Sequence, residues 1–343
     1  MKTILNLLHQ KKHLSQSQAT IFLTEVLAGK IPTQDILNFI NAYENKGPTP
    51  HELVGFISAI KKSSLPVSTP ITPLIDICGT GGSKKDRFNI STCTTFVLAA
   101  AGIPVAKHGN YGSTKPNGSF NFLEEMHINF QLETHETIDL LEKVNFCFLF
   151  ARKYHPGMRN VATARKEYKE RSVFNLLGPL CNPLNISHQV IGISTSKDIE
   201  TLTKTVQLLN RERVIFCLGG DNKDEVSLIG ETHIFDVTKT QINEYKFDFS
   251  KEIDPNITDY KCGDSNYNAM TFIKILLDKN WSHSIIKHIC INAAFAMLCV
   301  NHVKTIKEGF NKAHDLFKTE AVTKKINEYK LHVAQLETQS LTI

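Results

Sequence analysis

The chain has 343 residues, of which 39 are basic and 34 acidic, and its formal net charge is +5. This mild excess of positive charge suits an anionic metabolite and does not require a nucleic-acid partner. The 8 cysteines lie mostly in apolar runs without a CxxC pair, which argues against a zinc site and against a disulfide framework.

The N-terminal segment MKTILNLLHQKK is too short and too soon charged for a signal peptide. No apolar run approaches the ~20 residues that a membrane span needs. We therefore expect a cytoplasmic protein that has no contact with a membrane.

Residues 1–66 predict three helices and no strand. Ser15–Gln18 has the pattern of a capping box, and the apolar stripe that follows it ends at Gly29. A second helix should begin at Thr33 and a third at Pro50. Three short helices expose more apolar surface than they can cover alone. We therefore expect this small helical domain to pack on the rest of the chain or on a second copy of it.

After a polar linker, the pattern changes to strands that alternate with helices, which is typical of an α/β domain with a mainly parallel sheet. We predict a small all-helical domain at 1–66 and a large α/β domain at 73–343, with a central sheet and flanking helices. The strands are expected at 74–78, 103–106, 146–150, 189–193, 213–218 and 233–237. The helices between them are expected at 91–101, 118–126, 134–144 and 197–210.

The first predicted strand runs into the glycine loop Gly79–Gly82, and a helix opens about ten residues later at Asn89–Thr92. Glycines let backbone N–H groups approach phosphate oxygens, and a helix N-terminus adds its positive dipole end. Lys107, at the end of the next predicted strand, would place a full positive charge beside them. A lone glycine turn most often only reverses the chain, but two such elements at the carboxyl ends of neighbouring strands favour a phosphate site.

Residues 151–185 interrupt the alternation and predict one or two helices and a turn at Gly178-Pro179. The pair Asp224-Glu225 follows the strand 213–218 on a loop, where adjacent carboxylates most often carry solvated charge. Carboxylates are also ligands of Mg²⁺, and a strand's carboxyl end is a suitable place for that ion. The segment 270–335 predicts helices that cover the edge or flank of the sheet.

In order and spacing, these motifs resemble those of the anthranilate phosphoribosyltransferase family over essentially the whole chain. The matching segments are GTGG (79–82), NIST (89–92), KHGN (107–110), GS (118–119), RKE (165–167), FNLLGPLCNP (174–183) and DE (224–225). Enzymes of this family join anthranilate to phosphoribosyl pyrophosphate (PRPP) in tryptophan biosynthesis. The resemblance implies this activity, a homodimer formed through the small helical domain, and helices from about 151–185 that join that domain in space.

The resemblance also implies which residues form the site. The PRPP ligands would be Gly79, Gly81, Gly82, Ser83, Asn89, Ile90, Ser91, Thr92, Lys107 and Ser119. Anthranilate would contact Gly79, His108, Asn110, His155, Arg165 and Pro179, and the planar fork of Arg165 matches a carboxylate. The implied catalytic residues are Lys107, Asn110 and Arg165, and the implied Mg²⁺ ligands are Ser91, Asp224 and Glu225. We expect the charged neighbours of Arg165, which are Lys166, Glu167, Lys169 and Arg171, to be surface residues.

Three positions depart from the family's pattern. Ser83 stands where an acidic residue is usual, Tyr111 stands where arginine is common, and Pro116 lies in a loop that is usually rich in serine and glycine. These changes leave open an aromatic amine other than anthranilate as the acceptor. A pyrimidine nucleoside phosphorylase is a second hypothesis, although KHGN and the DE pair argue against it. A non-catalytic nucleic-acid-binding relative is a third, and the modest charge and the retained phosphate motifs argue against that one.

Overall fold

The computed structural model describes residues 2–81, 87–112, 115–221, 223–257 and 260–340. Two predicted PRPP ligands, Gly82 and Ser83, lie outside these ranges. Within them, no helix is long and apolar enough to cross a membrane.

The N-terminal segment is entirely helical, as the sequence predicted. Its helices are α1 Lys2–His9, α2 Gln16–Leu27, α3 Thr33–Lys46 and α4 Pro50–Lys62. The Ser15 hydroxyl accepts a hydrogen bond from Gln18 N at 3.1 Å, which confirms the predicted capping box. Helix α1 was not predicted from the sequence, since it is short and buries only Leu8.

Seven strands form one sheet in the order β3-β2-β1-β4-β5-β6-β7. The strands are β1 Ile75–Gly79, β2 Val105–Gly109, β3 Phe146–Phe150, β4 His188–Gly192, β5 Arg213–Leu218, β6 Glu231–Thr238 and β7 Ile242–Asp248. The first five run parallel, and β6 and β7 are antiparallel to their neighbours. The predicted α/β class with a mainly parallel sheet is confirmed. Strand β7 was missed because most of its side chains are exposed, so it has no apolar alternation.

The second predicted strand was placed too early, and this error concerns the site. It was expected to end at residue 106, with Lys107 just beyond it, whereas β2 continues to Gly109. Lys107 and His108 are therefore buried strand residues, and Lys107 pairs with Phe148 of β3.

Helices cover both faces of the sheet. They are α5 Ile90–Ala100, α6 Ser119–Glu125, α7 Thr134–Val144, α8 Ala151–Tyr154, α9 Arg159–Tyr168, α10 Val173–Leu180, α11 Ile199–Leu208, α12 Phe249–Glu252, α13 Ser265–Leu277, α14 Ser284–Cys299, α15 Ile306–Lys318 and α16 Ala321–Ser340, with a 3₁₀ turn at Pro156–Met158. The turn predicted at Gly178-Pro179 is wrong, because both residues lie in the last turn of α10. Pro179 has no N–H group to donate to Asn175 O, and the helix ends one residue later, at Leu180.

Alternate side chains of β5 enter two different hydrophobic cores. Ile215 and Cys217 belong to a core with α5 and α14, whereas Val214 and Phe216 belong to a core with α2–α4 and α9–α11. Successive strand residues point to opposite faces, so these cores lie on the two sides of the sheet. The N-terminal helices therefore pack on the rest of the chain, together with helices from 151–185. The domain boundaries at 66 and 73 stay a prediction.

The sheet has a topological switch point between β1 and β4. The chain moves outward from β1 through β2 to β3, and then returns to β4 on the other side of β1. Loops diverge at the carboxyl ends of two such strands and leave a crevice, which is where α/β sheets of this kind bind ligands. Gly79 and Gly192 end these two strands and are paired with each other.

Candidate active site

Asp224 fills the crevice between β1 and β4. A β-carbon on Gly79 would collide with the Asp224 carboxylate, and one on Gly192 would collide with the Asp224 backbone. Only glycine at both strand ends leaves room for this residue. Thr80 N donates to Gly192 O at 2.8 Å, which ties the glycine loop to the end of β4. The sequence therefore brings the predicted acidic pair and the predicted glycine loop together.

The Asp224 carboxylate contacts the phosphate-site elements directly. Its Oδ2 accepts a hydrogen bond from Gly81 N at 3.2 Å, and its Oδ1 forms an ion pair with the Arg87 guanidinium. Gly81 has a φ of +62°, in the left-handed region that favours glycine. Asp224 thus holds a loop N–H group that was expected to bind an anion.

Glu225 is buried beside Asp224, and its Oε1 has no hydrogen-bond partner among the described residues. His288 Nε2 lies 3.8 Å from that oxygen, but burial lowers the pKa of His288 to about 4, so this ring is neutral near pH 7. Burial raises the pKa of Glu225 to about 7, although the charges of Lys223 and Arg87 oppose the shift. A buried carboxylate oxygen without a donor needs a partner, and a bound cation would supply one.

The donor set at this corner fits Mg²⁺. Two adjacent carboxylates offer the oxygen ligands that this ion prefers, and it usually keeps several waters and takes substrate phosphates as well. In the described part of the chain, no group of three or more His, Cys, Asp or Glu side chains comes together. Hydroxyl, water and phosphate oxygens would therefore have to complete the coordination.

Lys107 connects β1, β2 and α5. Its Nζ donates to Ile77 O at 2.6 Å and lies 3.3 Å from Ser91 Oγ in the first turn of α5. Burial lowers the pKa of Lys107, and the buried carboxylate of Asp76 opposes that shift. Asp76 itself is held by three donors, which are His108 N, Asn182 Nδ2 and Gln189 Nε2, at 3.0–3.3 Å.

The N-terminus of α5 has no side-chain cap. Asn89 occupies the N-cap position, but its side chain points to the loop after β2 and donates to Gly118 O at 3.4 Å. It also accepts from Asn268 Nδ2 of α13 at 3.1 Å, and Asn268 contacts Asn117 Oδ1 at 3.3 Å. Asn117 and Asn268 were not predicted as site residues. Ile90 and Thr92, which were, are buried in the first turn of the helix.

A side-chain hydrogen bond joins the two ends of the loop that follows β2. Ser119 Oγ donates to Asn110 O at 3.3 Å, so these two predicted site residues are in contact. Asn110 is otherwise exposed. Tyr111, which departs from the family's pattern, donates to Glu124 and has the guanidinium of Arg152 5.0 Å from its ring centroid. A guanidinium therefore lies beside this loop even though position 111 itself is not arginine.

The residues predicted to bind anthranilate come from several elements of the chain, among them β2, α9 and α10. His108 and His155 are buried with their Nε2 atoms 3.2 Å apart, and His155 Nδ1 lies 2.7 Å from Ser64 Oγ. Arg165 is half-buried on α9, and its guanidinium lies 5.7 Å from the Phe174 ring centroid. Among the described residues Arg165 has no carboxylate partner, and burial lowers its pKa. Pro179 is buried, and its carbonyl accepts from Gln189 Nε2 at 2.8 Å.

Arg171 was expected at the surface, and this expectation is wrong. Its Nη1 donates to Gly81 O at 2.5 Å and to Ser194 Oγ at 2.6 Å, so it holds the glycine loop from the side of α10. Lys166, Glu167 and Lys169 are exposed, as predicted. The sequence feature that could have indicated the role of Arg171 is its position, three residues before the FNLLGPLCNP motif.

We expect the buried His155 to make the protein less stable as the pH falls from 7 to 5. Burial lowers the pKa of His155 to about 4, so the unfolded chain, with a histidine pKa near ~6.5, binds the proton first. Between these two values the free energy of unfolding should fall by at most ~1.4 kcal/mol per pH unit for this group. Urea denaturation at pH 7, 6 and 5 would measure the slope. The variant His155→Gln should have a shallower slope, and equal slopes would contradict the assignment.

Comparison with known proteins gives one consistent result. The family model described as "Glycosyl transferase family, a/b domain" matches residues 71–321. The anthranilate phosphoribosyltransferase of Streptococcus mutans is 34% identical over 318 residues, which cover 92% of this chain and 94% of that protein. The corresponding enzyme of Listeria innocua is 33% identical over 333 residues, with 96% and 97% covered.

Solved structures of anthranilate phosphoribosyltransferases have the same fold. The structure from Thermus thermophilus matches with a TM-score of 0.87 and 26% identity over 96% of this chain and 99% of that one. The structure from Saccharomyces cerevisiae in complex with PRPP and Mg matches with a TM-score of 0.86 over 97% and 98%. At 22% identity, the yeast likeness concerns the fold alone.

Proposed function

We propose that this chain, which belongs to the anthranilate phosphoribosyltransferase family, transfers the phosphoribosyl group of PRPP to the amine of anthranilate. The products are N-(5-phosphoribosyl)anthranilate, an intermediate of tryptophan biosynthesis, and pyrophosphate. The observation that carries the proposal is the switch-point crevice, where Asp224 contacts the glycine loop and Lys107 contacts Ser91 at the start of α5.

The reaction forms a bond from the amine nitrogen to C1 of the ribose and breaks the bond from C1 to a pyrophosphate oxygen. The nitrogen then loses a proton, and the arylamine needs no strong base beforehand because it is nucleophilic when neutral. Charge accumulates on the leaving pyrophosphate. Lys107 and the backbone N–H groups of the glycine loop would stabilise that charge, since preorganised donors act strongly in a site shielded from water.

We assign the PRPP contacts to Gly79, Gly81, Asn89, Ile90, Ser91, Thr92, Lys107 and Ser119. The resemblance adds Gly82 and Ser83, which lie outside the described residues. Ser91, Asp224 and Glu225 would hold Mg²⁺, which supplies positive charge to the leaving group when bound. The unpartnered oxygen of Glu225 and the 3.3 Å distance from Lys107 Nζ to Ser91 Oγ support this assignment.

We assign the binding of anthranilate to Gly79, His108, Asn110, His155, Arg165 and Pro179. Arg165 supports this choice, because it is half-buried without a carboxylate partner among the described residues. Its planar fork can bind both oxygens of the anthranilate carboxylate. Held in this way, the amine would face C1, and such positioning lowers the barrier without further chemistry.

We expect the substitution Arg165→Lys to raise KM for anthranilate about 10–100-fold and to change KM for PRPP little. Lysine keeps the charge but cannot form the two parallel hydrogen bonds, each charge-assisted bond being worth ~1.5–3 kcal/mol. Steady-state kinetics with each substrate varied in turn would measure both constants. Arg159→Lys, at the exposed start of the same helix, is the control and should leave both constants unchanged.

A fluorescence assay of anthranilate loss with PRPP and Mg²⁺ tests the function itself. Parallel reactions with other aromatic amines would show whether the acceptor differs, given Ser83, Tyr111 and Pro116. Phosphorolysis of thymidine or uridine would instead support the nucleoside phosphorylase hypothesis. Folded protein that consumes no anthranilate under these conditions would refute the proposal.

We also propose a homodimer formed through the helices of residues 1–66. Ile21 of α2 supports this, because its side chain is 61% exposed on that helical layer. Sedimentation velocity would test the assembly, and a monomer at micromolar concentration would refute it. A cytoplasmic location stays a prediction from the sequence.

A further inference from the structure

Arg87 belongs to none of the predicted motifs, yet its guanidinium lies at the acidic corner that Asp224 and Glu225 form. It forms an ion pair with Asp224 Oδ1, while Asp224 Oδ2 accepts from Gly81 N at 3.2 Å. The Arg87 side chain is 23% exposed and that of Asp224 is 5% exposed. Both oxygens of this buried carboxylate therefore have partners from the chain itself.

The acidic corner requires a positive charge. Asp224 and Glu225 are adjacent and both are buried, and an unpaired buried carboxylate is unfavourable. Lys223, the next residue in the chain, pairs with Asp221 at 2.8 Å. Among the described residues, Arg87 is the cationic residue that forms an ion pair with Asp224.

We infer that Arg87 is a positioning residue that takes the place of the divalent cation at Asp224, so that the two compete for one carboxylate. This inference rests on the proposed function, because it treats Asp224 and Glu225 as metal ligands. When the cation binds, Asp224 Oδ1 passes from the guanidinium to the metal. Arg87 is then available to phosphate oxygens, which its fork matches well.

The competition has a direct consequence for the order of loading. A divalent cation alone must displace Arg87 and leave the guanidinium without a partner. A cation that arrives with a polyphosphate brings a new anionic partner for Arg87. The substrate-free protein should therefore bind a divalent cation weakly, and PRPP should strengthen that binding.

Titration of the substrate-free protein with Mn²⁺ tests this, with free Mn²⁺ followed by electron paramagnetic resonance. We expect Arg87→Met to bind Mn²⁺ about tenfold more tightly than the wild type, since a competing ion pair has been removed. With PRPP present, the same variant should have a higher KM for PRPP. Arg87→Lys keeps the charge and should bind Mn²⁺ much as the wild type does.

Arg213→Met is a matched control. Arg213 forms a half-buried ion pair with Asp236 at 2.6 Å, but it lies at the start of β5, at the opposite end of the strand from the site. This variant should bind Mn²⁺ as the wild type does. Arg87→Gln removes the charge but keeps a polar side chain. It should also bind Mn²⁺ more tightly than the wild type, and it replaces Arg87→Met if that variant does not fold.

Equal Mn²⁺ affinity in the wild type, Arg87→Met and Arg87→Gln, including no detectable binding to any of them, would overturn the inference even if the enzyme is active. Tighter binding in Arg213→Met as well would also overturn it, because the effect would not be local. An enzyme that consumes no anthranilate while Arg87→Met still binds Mn²⁺ more tightly would count against the proposed function only.

Discussion

The substitution Lys107→Met should lower kcat about 10²–10³-fold, with a smaller change in KM for anthranilate. The Lys107 ammonium group lies at the start of α5. The loss of one preorganised group that stabilises the charge on a leaving group typically lowers kcat by about 10²–10³-fold. Steady-state kinetics with PRPP and anthranilate would measure the loss. Turnover equal to that of the wild type would contradict the role given to Lys107.

Lys107 also balances the buried carboxylate of Asp76, so a control must separate folding from catalysis. The two buried charges attract each other without forming a direct ion pair, so the loss of one leaves the other less compensated and should lower stability. The double variant Asp76→Asn/Lys107→Met removes both charges and should recover much of the thermal stability. The double variant should not recover the kcat of the wild type. A double variant with the kcat of the wild type would show that Lys107 acts only through folding.

The substitution Glu225→Gln should raise the Mg²⁺ concentration needed for half-maximal activity at least ~10–100-fold. An amide has nearly the same shape as the carboxylate but lacks the charge that a hard cation prefers. Initial rates measured across a Mg²⁺ series would show the shift. Glu244→Gln on the exposed strand β7 is the control, and its Mg²⁺ dependence should match that of the wild type.

The same variant should be at least as stable as the wild type when no metal is present. Burial raises the pKa of Glu225 to about 7, so its contribution to stability is present at low pH and is lost as the pH rises through 7. At pH 8 a neutral glutamine avoids a penalty of ~1–3 kcal/mol. Urea denaturation at pH 8 in the presence of a chelator would measure the difference. A clear loss of stability would indicate a structural role for the carboxylate.

The sequence predicted those parts of the fold in which one local pattern decides the structure. Apolar runs between turn residues located six of the seven strands, because the strands of the sheet centre are buried on both faces. Strand β7 lacks that pattern because it forms an exposed edge, and its pairing with β6 holds it in place. Lys107 was placed outside its strand because a polar residue ends an apolar run. The buried carboxylate that attracts it, Asp76, lies in another strand, β1.

The site was predictable where its residues form contiguous motifs and was missed where the contacts are distant in the chain. Gly79–Gly82 and Asp224-Glu225 could be read from local letters and spacing. Arg171 could not, because its partner Gly81 lies 90 positions away. Asn268, 179 positions from Asn89, escaped for the same reason. A side chain whose function depends on one long-range hydrogen bond has no periodicity that a sequence pattern could show.

The hydrogen bond from Arg171 to the glycine loop links two layers of the molecule. Arg171 lies between α9 and α10, whose side chains share a hydrophobic core with the N-terminal helices. Its guanidinium donates a hydrogen bond to Gly81 O in the loop that follows β1. A displacement of the helical layer would therefore shift Gly81 and the loop around it. Under the proposed function, the binding of anthranilate and the binding of PRPP would then influence each other through the Arg171 guanidinium.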